Sequence, residues 1–211
     1  MKKAVILLSG GLDSSTVLYW AKKHSYKCFC LIFDYGQRHK KELESAKKIA
    51  VSAGCPYQVV KINLPWNKSS LIDKKQKIPV NKTSINKLPS TYVPGRNTIF
   101  ISFALSYAET IGAKEIFIGA NSVDFSGYPD CRPDYYKAMN QVLKALGTGI
   151  KVNAPILRLT KSGIIKLGLK LGVPYKFTWS CYNGDKHPCG KCDSCKFRQK
   201  GFVEAGADDP L

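Results

Sequence analysis

A short loop near the amino terminus holds residue types suited to binding phosphate. Residues 9–15 read Ser-Gly-Gly-Leu-Asp-Ser-Ser and follow an apolar run at residues 4–8. The glycines let the backbone turn tightly, and helix-terminal amides and serine hydroxyls can then donate to phosphate oxygens. Asp13 also offers the oxygen ligand that Mg²⁺ prefers. The alternative is a simple helix cap formed by Asp13 or Ser14, which needs fewer of these groups. The candidate nucleotide-binding residues are Leu8, Ser9, Gly10, Gly11, Leu12, Asp13, Ser14 and Ser15.

Four cysteines cluster near the carboxyl terminus, at Cys181, Cys189, Cys192 and Cys195. Four thiolates at this spacing predict a closed tetrahedral Zn²⁺ site, one ion per chain, with a structural role because no coordination position stays open. An iron–sulfur cluster is the competing interpretation of the same ligand set. Replacement of one thiolate by His187 is a further alternative, although a solvated histidine is the simpler interpretation.

Three further loops carry charged and polar side chains where predicted strands end or predicted helices begin. They span residues 34–39, 92–97 and 123–133. Arg96 can donate two parallel hydrogen bonds to a phosphate or a carboxylate, and Lys161 opens a later helix where it meets either phosphate or solvent. Each loop alone is compatible with an ordinary surface loop, but their common position favours a cleft for a flat polar heterocycle. The candidate substrate-binding residues are Gln37, Arg38, Asn97, Asp124, Phe125, Tyr128, Asp130 and Arg132.

Alternating strand and helix patterns supply the framework for these loops. Predicted strands lie at residues 4–8, 27–33, 57–62, 115–120 and 151–156, and predicted helices at 14–24, 38–53, 98–111, 134–146 and 161–171. This alternation predicts an α/β fold with a Rossmann-like parallel sheet of about five strands and helices on both faces. Ligands bind such sheets at the carboxyl ends of the strands. We expect an α/β domain over residues 1–178 and a small zinc-binding module over 179–211. Within the α/β domain, residues 63–93 are expected to form a mobile lid, with a disordered insert as the alternative.

Composition and charge limit the class of protein further. The chain has 211 residues with a formal net charge of +18, but Lys dominates the basic residues and is spread along predicted helices. This pattern favours a solvated lysine-rich surface over specific RNA binding. No apolar stretch approaches the roughly 18 residues of a membrane span, and the first apolar run is shorter than a signal-peptide core. We therefore expect a cytoplasmic protein without a membrane partner.

The segment SGGLDS resembles the pyrophosphate loop of the N-type ATP pyrophosphatases, in which a substrate oxygen attacks the α-phosphate of ATP. Within that superfamily, the chain closely resembles the family that synthesises 7-cyano-7-deazaguanine. The matching segments run in the same order along nearly the whole chain: LLSGGLDSS, FDYGQRH, YVPGRN, DFSGYPDCRP, the four-cysteine cluster and GFVEAGADDP.

The resemblance implies an ATP-dependent carbon–nitrogen ligase of queuosine precursor biosynthesis. Its substrates would be 7-carboxy-7-deazaguanine, ammonia and ATP, and its intermediates an adenylated acid and an adenylated amide. It also implies Mg²⁺, the structural Zn²⁺, a homodimer and no obligatory nucleic acid partner. The catalytic residues would be Asp13, Arg96 and Lys161. Cys131 is a candidate nucleophile, but a thioester is unnecessary if ammonia attacks the adenylate directly.

Two other functions remain open at this stage. A tRNA-thiolating enzyme of the same superfamily is favoured by the basic charge, but no separate RNA-binding domain is evident. A zinc-ribbon nucleic-acid-binding module is disfavoured, since such a module has no use for a phosphate loop.

Overall fold

A parallel sheet forms the centre of the molecule. The computed structural model describes residues 1–38, 40–66, 69–73, 75, 88–123, 128–184 and 186–211. Within these ranges, five strands pair in the order β3-β2-β1-β4-β5, and every neighbouring pair is parallel. The strands are β1 (Lys2–Leu7), β2 (Tyr26–Asp34), β3 (Tyr57–Lys61), β4 (Glu115–Ile118) and β5 (Lys151–Asn153). The predicted Rossmann-like α/β fold is confirmed.

Helices connect and cover the strands. They are α1 (Leu12–Lys23), α2 (Lys41–Ser52), α3 (Arg96–Ile111), α4 (Pro133–Ala145), α5 (Lys161–Lys170) and α6 (Asp193–Ala205). Strand β5 ends before the predicted residue 156 because Pro155 has no amide hydrogen to continue the ladder. The chain turns there instead, with the Leu157 amide donating to the Ala154 carbonyl at 3.1 Å. Among the described helices, none combines the length and the apolar character that crossing a bilayer requires.

The sheet buries both of its faces. Successive side chains of a strand point to opposite faces, so Val5 and Leu7 of β1 pack with α3 and α4, while Ala4 and Ile6 pack with α1, α2 and α5. The apolar runs of the central strands follow from this burial on two sides, which is typical of parallel sheets.

Helix α6 packs on the outer side of α5. Phe202 is 1% exposed and shares a small core with Leu12 of α1 and Ile165 of α5. At Gly201, an added Cβ atom would lie 2.5 Å from Cγ of Lys161, so only glycine lets the two helices approach this closely. The predicted zinc-binding segment thus shares a core with the α/β domain. The domain boundary at residues 178 and 179 stays a prediction.

The predicted lid at residues 63–93 is described in part. The Ser70 amide donates to the Ser90 carbonyl at 2.8 Å, and the Arg38 amide donates to the Leu71 carbonyl at 3.0 Å. Residues 67, 68, 74 and 76–87 lie outside the described ranges. The role of this segment as a lid stays a prediction.

Candidate active site

A cavity of about 280 Å³ opens at the carboxyl edge of the sheet. Its walls include Leu8 after β1, Tyr35 after β2 and Asn121 after β4. The chain crosses over β1 between β3 and β4, so β1 and β4 flank the point where the strand order reverses. Open α/β sheets bind ligands at such a point, and the cavity lies where the sequence predicts it.

The predicted phosphate loop forms one wall of this cavity. Gly10 has φ +80°, and a Cβ atom there would lie 2.5 Å from the Ala46 amide nitrogen and 2.6 Å from the Glu42 carbonyl oxygen. Gly10 therefore allows the loop to lie directly against α2. The hydroxyls of Ser9 and Ser14 are 2.9 Å apart and close the loop on itself.

The loop ends in a helix start without a side-chain cap among the described residues. Helix α1 begins after Gly11, whose position as N-cap carries no side-chain capping bond. The interpretation of Asp13 or Ser14 as the cap is therefore wrong, and the first amides of α1 point out of the helix without internal partners. Six of the eight predicted loop residues line the cavity: Leu8, Ser9, Gly11, Leu12, Asp13 and Ser14. Gly10 and Ser15 do not line it, and the buried hydroxyl of Ser15 has no hydrogen-bond partner among the described residues.

Asp13 and Lys161 form an ion pair at the mouth of the loop. The Lys161 ammonium donates to both carboxylate oxygens of Asp13, at 2.8 and 2.9 Å. The side chain of Lys161 is only 11% exposed and that of Asp13 is 25% exposed, and both residues line the cavity. The fold brings together two residues that the sequence analysis proposed separately, since α5 packs beside α1.

Arg96 forms another part of the cavity wall. Its guanidinium donates to the Tyr35 hydroxyl at 3.2 Å and lies 5.7 Å from the centre of the Tyr35 ring. Beside it, the Asn97 amide nitrogen donates to the Asp130 carboxylate at 3.4 Å. Burial raises the pKa of Asp130, and the positive charge of Arg96 opposes that shift. This wall offers a cation and a carboxylate within an aromatic surround that includes Tyr128.

The other predicted substrate-binding residues are placed unevenly. Gln37 lines the cavity, but its amide group is bonded to the backbone of Phe33 and Tyr35. Arg38 lies outside the cavity wall and donates to the Ser70 carbonyl at 3.3 Å. Arg132 is exposed at the start of α4, also outside the cavity wall. Neither arginine is therefore among the residues that line the cavity: Arg38 contacts residue 70, and Arg132 faces solvent. Asp124 and Phe125 lie outside the described residues.

Several residues that line the cavity were not predicted from the sequence. Glu42 of α2 lines the cavity, and burial raises its pKa to about 7 against the opposing charge of Arg96. Trp179 and Tyr182 also line it, and the Trp179 amide donates to the Gly10 carbonyl at 2.9 Å. An acidic residue in the charged first turn of a helix carries no signal of burial. For Trp179 and Tyr182, the only available signal is their position beside the cysteine cluster.

Cys131 lies in the cavity and carries a thiol whose pKa is raised. It lines the cavity, where burial and the neighbouring Asp130 raise the pKa of its thiol to about 11. The reactive form of cysteine is the thiolate, so this thiol is protonated and weakly nucleophilic at neutral pH. The expectation that no thioester forms stays a prediction.

The four predicted metal ligands come together. The sulfur atoms of Cys181, Cys189, Cys192 and Cys195 all lie within 4.8 Å of one another, whereas His187 is exposed and outside the group. The Cys192 sulfur is 4.0 Å from that of Cys181 and 3.5 Å from that of Cys195. Ligands 2.3 Å from a tetrahedral Zn²⁺ are separated by about 3.8 Å, so the cluster has the size for a single ion.

Backbone amides support the same cluster. The amides of Asn183, Gly184 and Cys189 donate to the Cys181 sulfur at 3.3, 2.9 and 3.2 Å. Hydrogen bonds from its cysteine neighbours and from these amides lower the pKa of the Cys181 thiol. Such bonds stabilise a thiolate and hold it in a ligating orientation. The donor set and the spacing both fit a bound metal.

Comparison with known proteins places the chain in a family. The family model described as queuosine biosynthesis protein QueC matches residues 3–206. The 7-cyano-7-deazaguanine synthase of Picrophilus torridus is 56% identical over all of this chain and 91% of its own length. The enzyme of the same name from Trichormus variabilis is 52% identical over 99% of this chain and 97% of its own length.

Solved structures show the same fold at much lower identity. The U34-tRNA thiolase NcsA from Methanococcus maripaludis, solved with its 4Fe-4S cluster, has a TM-score of 0.54 at 18% identity over 95% of this chain and 64% of that chain. Because the identity is this low, the similarity supports the fold alone. The family model and the full-length relatives carry the assignment: the chain belongs to the QueC family of queuosine biosynthesis proteins.

Proposed function

We propose that the protein is an ATP-dependent ligase that converts 7-carboxy-7-deazaguanine and ammonia into 7-cyano-7-deazaguanine. The observation that carries the proposal is the composition of one cavity. A phosphate loop with the Asp13–Lys161 pair forms one wall, and Arg96 with Asp130 forms the other. The cavity can therefore hold a nucleotide and a small polar acid side by side. High identity to enzymes of this name over the whole chain supports the same substrate.

The chemistry needs two activations of one carbon atom. A carboxylate resists attack because it would have to expel an oxide, so its oxygen first displaces pyrophosphate from ATP to give an acyl adenylate. Ammonia then displaces AMP and gives the amide. The amide oxygen is adenylated in turn by a second ATP, and loss of AMP with an N–H proton leaves the nitrile. Each adenylation spreads negative charge over phosphoryl oxygens, which the protein must neutralise.

The residues of the loop wall fit this requirement. Ser9, Ser14 and the residues at the start of α1 line the cavity, so their hydroxyls and amides can donate to phosphate oxygens. Lys161 supplies a cation at the same wall. The Asp13 carboxylate would hold Mg²⁺, which would neutralise charge on the phosphates of ATP.

The residues of the second wall fit the heterocyclic acid. Asp130 can accept hydrogen bonds from the ring N–H and the exocyclic amine of a deazaguanine. Arg96 can donate to the substrate carboxylate, and it lines the cavity whereas Arg132 does not. Tyr35 and Tyr128 give flat apolar surface against which a planar ring can pack.

The geometry of the four cysteines supports a structural Zn²⁺. The sulfur–sulfur distances match one tetrahedral ion, while a cubane iron–sulfur cluster holds its thiolates farther apart because several iron and sulfide ions lie between them. The cluster lies beside Trp179, which bonds the phosphate loop. Elemental analysis should find about one zinc per chain. Iron with labile sulfide would overturn this part of the proposal.

The resemblance to the family also supports a homodimer that acts in the cytoplasm without an obligatory nucleic acid. Sedimentation analysis of the purified chain tests the dimer.

The proposed function is tested by pyrophosphate release. With ATP and Mg²⁺, we expect release to depend on 7-carboxy-7-deazaguanine and to be absent with unmodified tRNA. Release that depends on tRNA, with none from the heterocycle, would favour a tRNA-modifying enzyme instead.

A further inference from the structure

Glu42 occupies a position in the cavity that the chemistry described above does not use. It lies in the first turn of α2, and its carbonyl oxygen would be 2.6 Å from a Cβ atom on Gly10. The residue therefore flanks the phosphate loop directly, and its side chain lines the cavity. Its carboxylate therefore belongs to the cavity that would hold an acyl adenylate in the proposed function.

The other two carboxylates of the cavity that carry proposed roles each have a protein partner as well. Asp13 is paired with Lys161, and Asp130 accepts from the Asn97 amide on the opposite wall. Among the described residues, no hydrogen bond or ion pair involves the Glu42 carboxylate. A half-buried carboxylate without a hydrogen-bonded partner is costly in its charged form, so a cation bound beside it would stabilise that form.

The reaction needs such a group for its second substrate. In neutral water ammonia is present almost entirely as ammonium, which is a cation without a lone pair. Ammonium must be attracted into a cavity that already contains Arg96, and it must lose a proton before it can attack. A carboxylate performs both tasks, whereas the hydroxyls and cations of the cavity do not.

We propose that the Glu42 carboxylate binds ammonium beside the phosphate loop and takes up the proton that ammonium loses on becoming the nucleophile. The proposal rests on the proposed function and identifies the site of its nitrogen substrate. The proton passes from nitrogen to the Glu42 oxygen. The nitrogen lone pair then forms the C–N bond to the acyl carbon, while the C–O bond to phosphate breaks and its electron pair leaves with AMP. The second N–H proton that the amide loses passes to water.

The electrostatic surroundings of Glu42 are consistent with this role. It interacts electrostatically with Arg96 of α3, Tyr35 after β2, and Tyr182 and Cys181 of the carboxyl-terminal segment. No hydrogen bond joins it to Cys181 among the described residues. Burial raises the pKa of Glu42 to about 7. A base is most effective when its pKa is near the working pH.

The alternative role for Glu42 is to bind the edge of the heterocycle. Asp130 already supplies a carboxylate for that edge in the proposed function, and a heterocycle-binding role for Glu42 would lower pyrophosphate release even without a nucleophile.

The test compares Glu42→Gln with Glu44→Gln, an exposed acid on the same helix. Two nucleophiles are supplied to the full-length enzyme at one neutral pH: ammonium, and hydroxylamine, which is largely uncharged there. We expect Glu42→Gln to lower kcat/KM for ammonium by about 100-fold, and kcat/KM for hydroxylamine by no more than about threefold. Pyrophosphate release with the acid alone should stay near the wild-type rate, and Glu44→Gln should behave as wild type throughout.

Three results would overturn the proposal. They are an unchanged kcat/KM for ammonium, an equal loss with both nucleophiles, or a parallel loss of pyrophosphate release without any nucleophile. If Glu42→Gln does not fold, Glu42→Asp keeps the charge but withdraws it, and it should raise KM for ammonium and not for hydroxylamine. Failure of wild-type protein to release pyrophosphate with the acid would instead refute the proposed function.

Discussion

Replacement of Lys161 by Met separates its role towards phosphate from its role as the partner of Asp13. The ammonium group lies 2.8 and 2.9 Å from the two oxygens of Asp13, and the side chain is only 11% exposed. A charged hydrogen bond of this kind contributes about 1.5–3 kcal/mol. If Lys161 contacts the developing phosphoryl charge, Lys161→Met should lower kcat/KM for ATP by about 30- to 160-fold, equivalent to about 2–3 kcal/mol.

The assay is acid-dependent pyrophosphate release, with thermal unfolding as the check on folding. Lys166→Met is the matched control, because Lys166 is exposed on the same helix. The control should release pyrophosphate at the wild-type rate. Lys161→Met with wild-type kcat/KM for ATP and a lowered melting temperature would show that Lys161 only stabilises Asp13, and the reasoning about phosphate would be refuted.

Three further predictions concern single residues of the cavity. Arg96→Ala should lower kcat/KM for the heterocyclic acid by about 30- to 1,000-fold, whereas Arg132→Ala should have a much smaller effect because that side chain is exposed outside the cavity. Steady-state kinetics that rank the two variants in the opposite order would assign binding of the acid to Arg132. Because the pKa of the Cys131 thiol is raised to about 11, Cys131→Ser should lower kcat by less than about tenfold, and no covalent intermediate should be trapped on the wild-type enzyme. Complete inactivation of a folded Cys131→Ser variant would argue for a thioester. The pKa of Glu42 is raised from 4.5 to about 7, so the native state keeps a proton that the unfolded chain has released, and stability falls as the pH rises through this window. Glu42→Gln should therefore equal wild type in urea unfolding at pH 4.5 and exceed it by about 1–2 kcal/mol above pH 7, and a variant that is less stable above pH 7 would contradict the raised pKa.

The fold could be predicted from the sequence because its signals are local. Each strand of the sheet is a short apolar run, and each crossover helix has its own hydrophobic period, so residue order alone indicates the alternation. The phosphate loop and the four-cysteine cluster were also found, since each is a contiguous motif whose backbone brings its members together. Helix α6 was not predicted. It begins within the cysteine motif, whose spacing indicates metal binding and gives no separate signal for a helix start.

The rest of the site depends on contacts between distant segments. The pairing of Asp13 with Lys161 joins residues 148 positions apart, and it follows from the packing of α5 on α1. Glu42 enters the cavity because Gly10 allows α2 to approach the loop, a tertiary fact with no local sequence signal. Arg132 illustrates the converse case: residue type and neighbourhood favoured binding, but the start of α4 turns the side chain to solvent.

The central claim is tested most directly by identifying the product. The purified chain is incubated with 7-carboxy-7-deazaguanine, ¹⁵N-labelled ammonium, ATP and Mg²⁺, and the heterocycle and AMP are quantified by mass spectrometry. We expect the product to be 7-cyano-7-deazaguanine with a single ¹⁵N atom, formed with two AMP for each nitrile and with the labelled amide as the intermediate. Formation of the amide alone with one AMP, or recovery of the unchanged acid from folded protein, would contradict it.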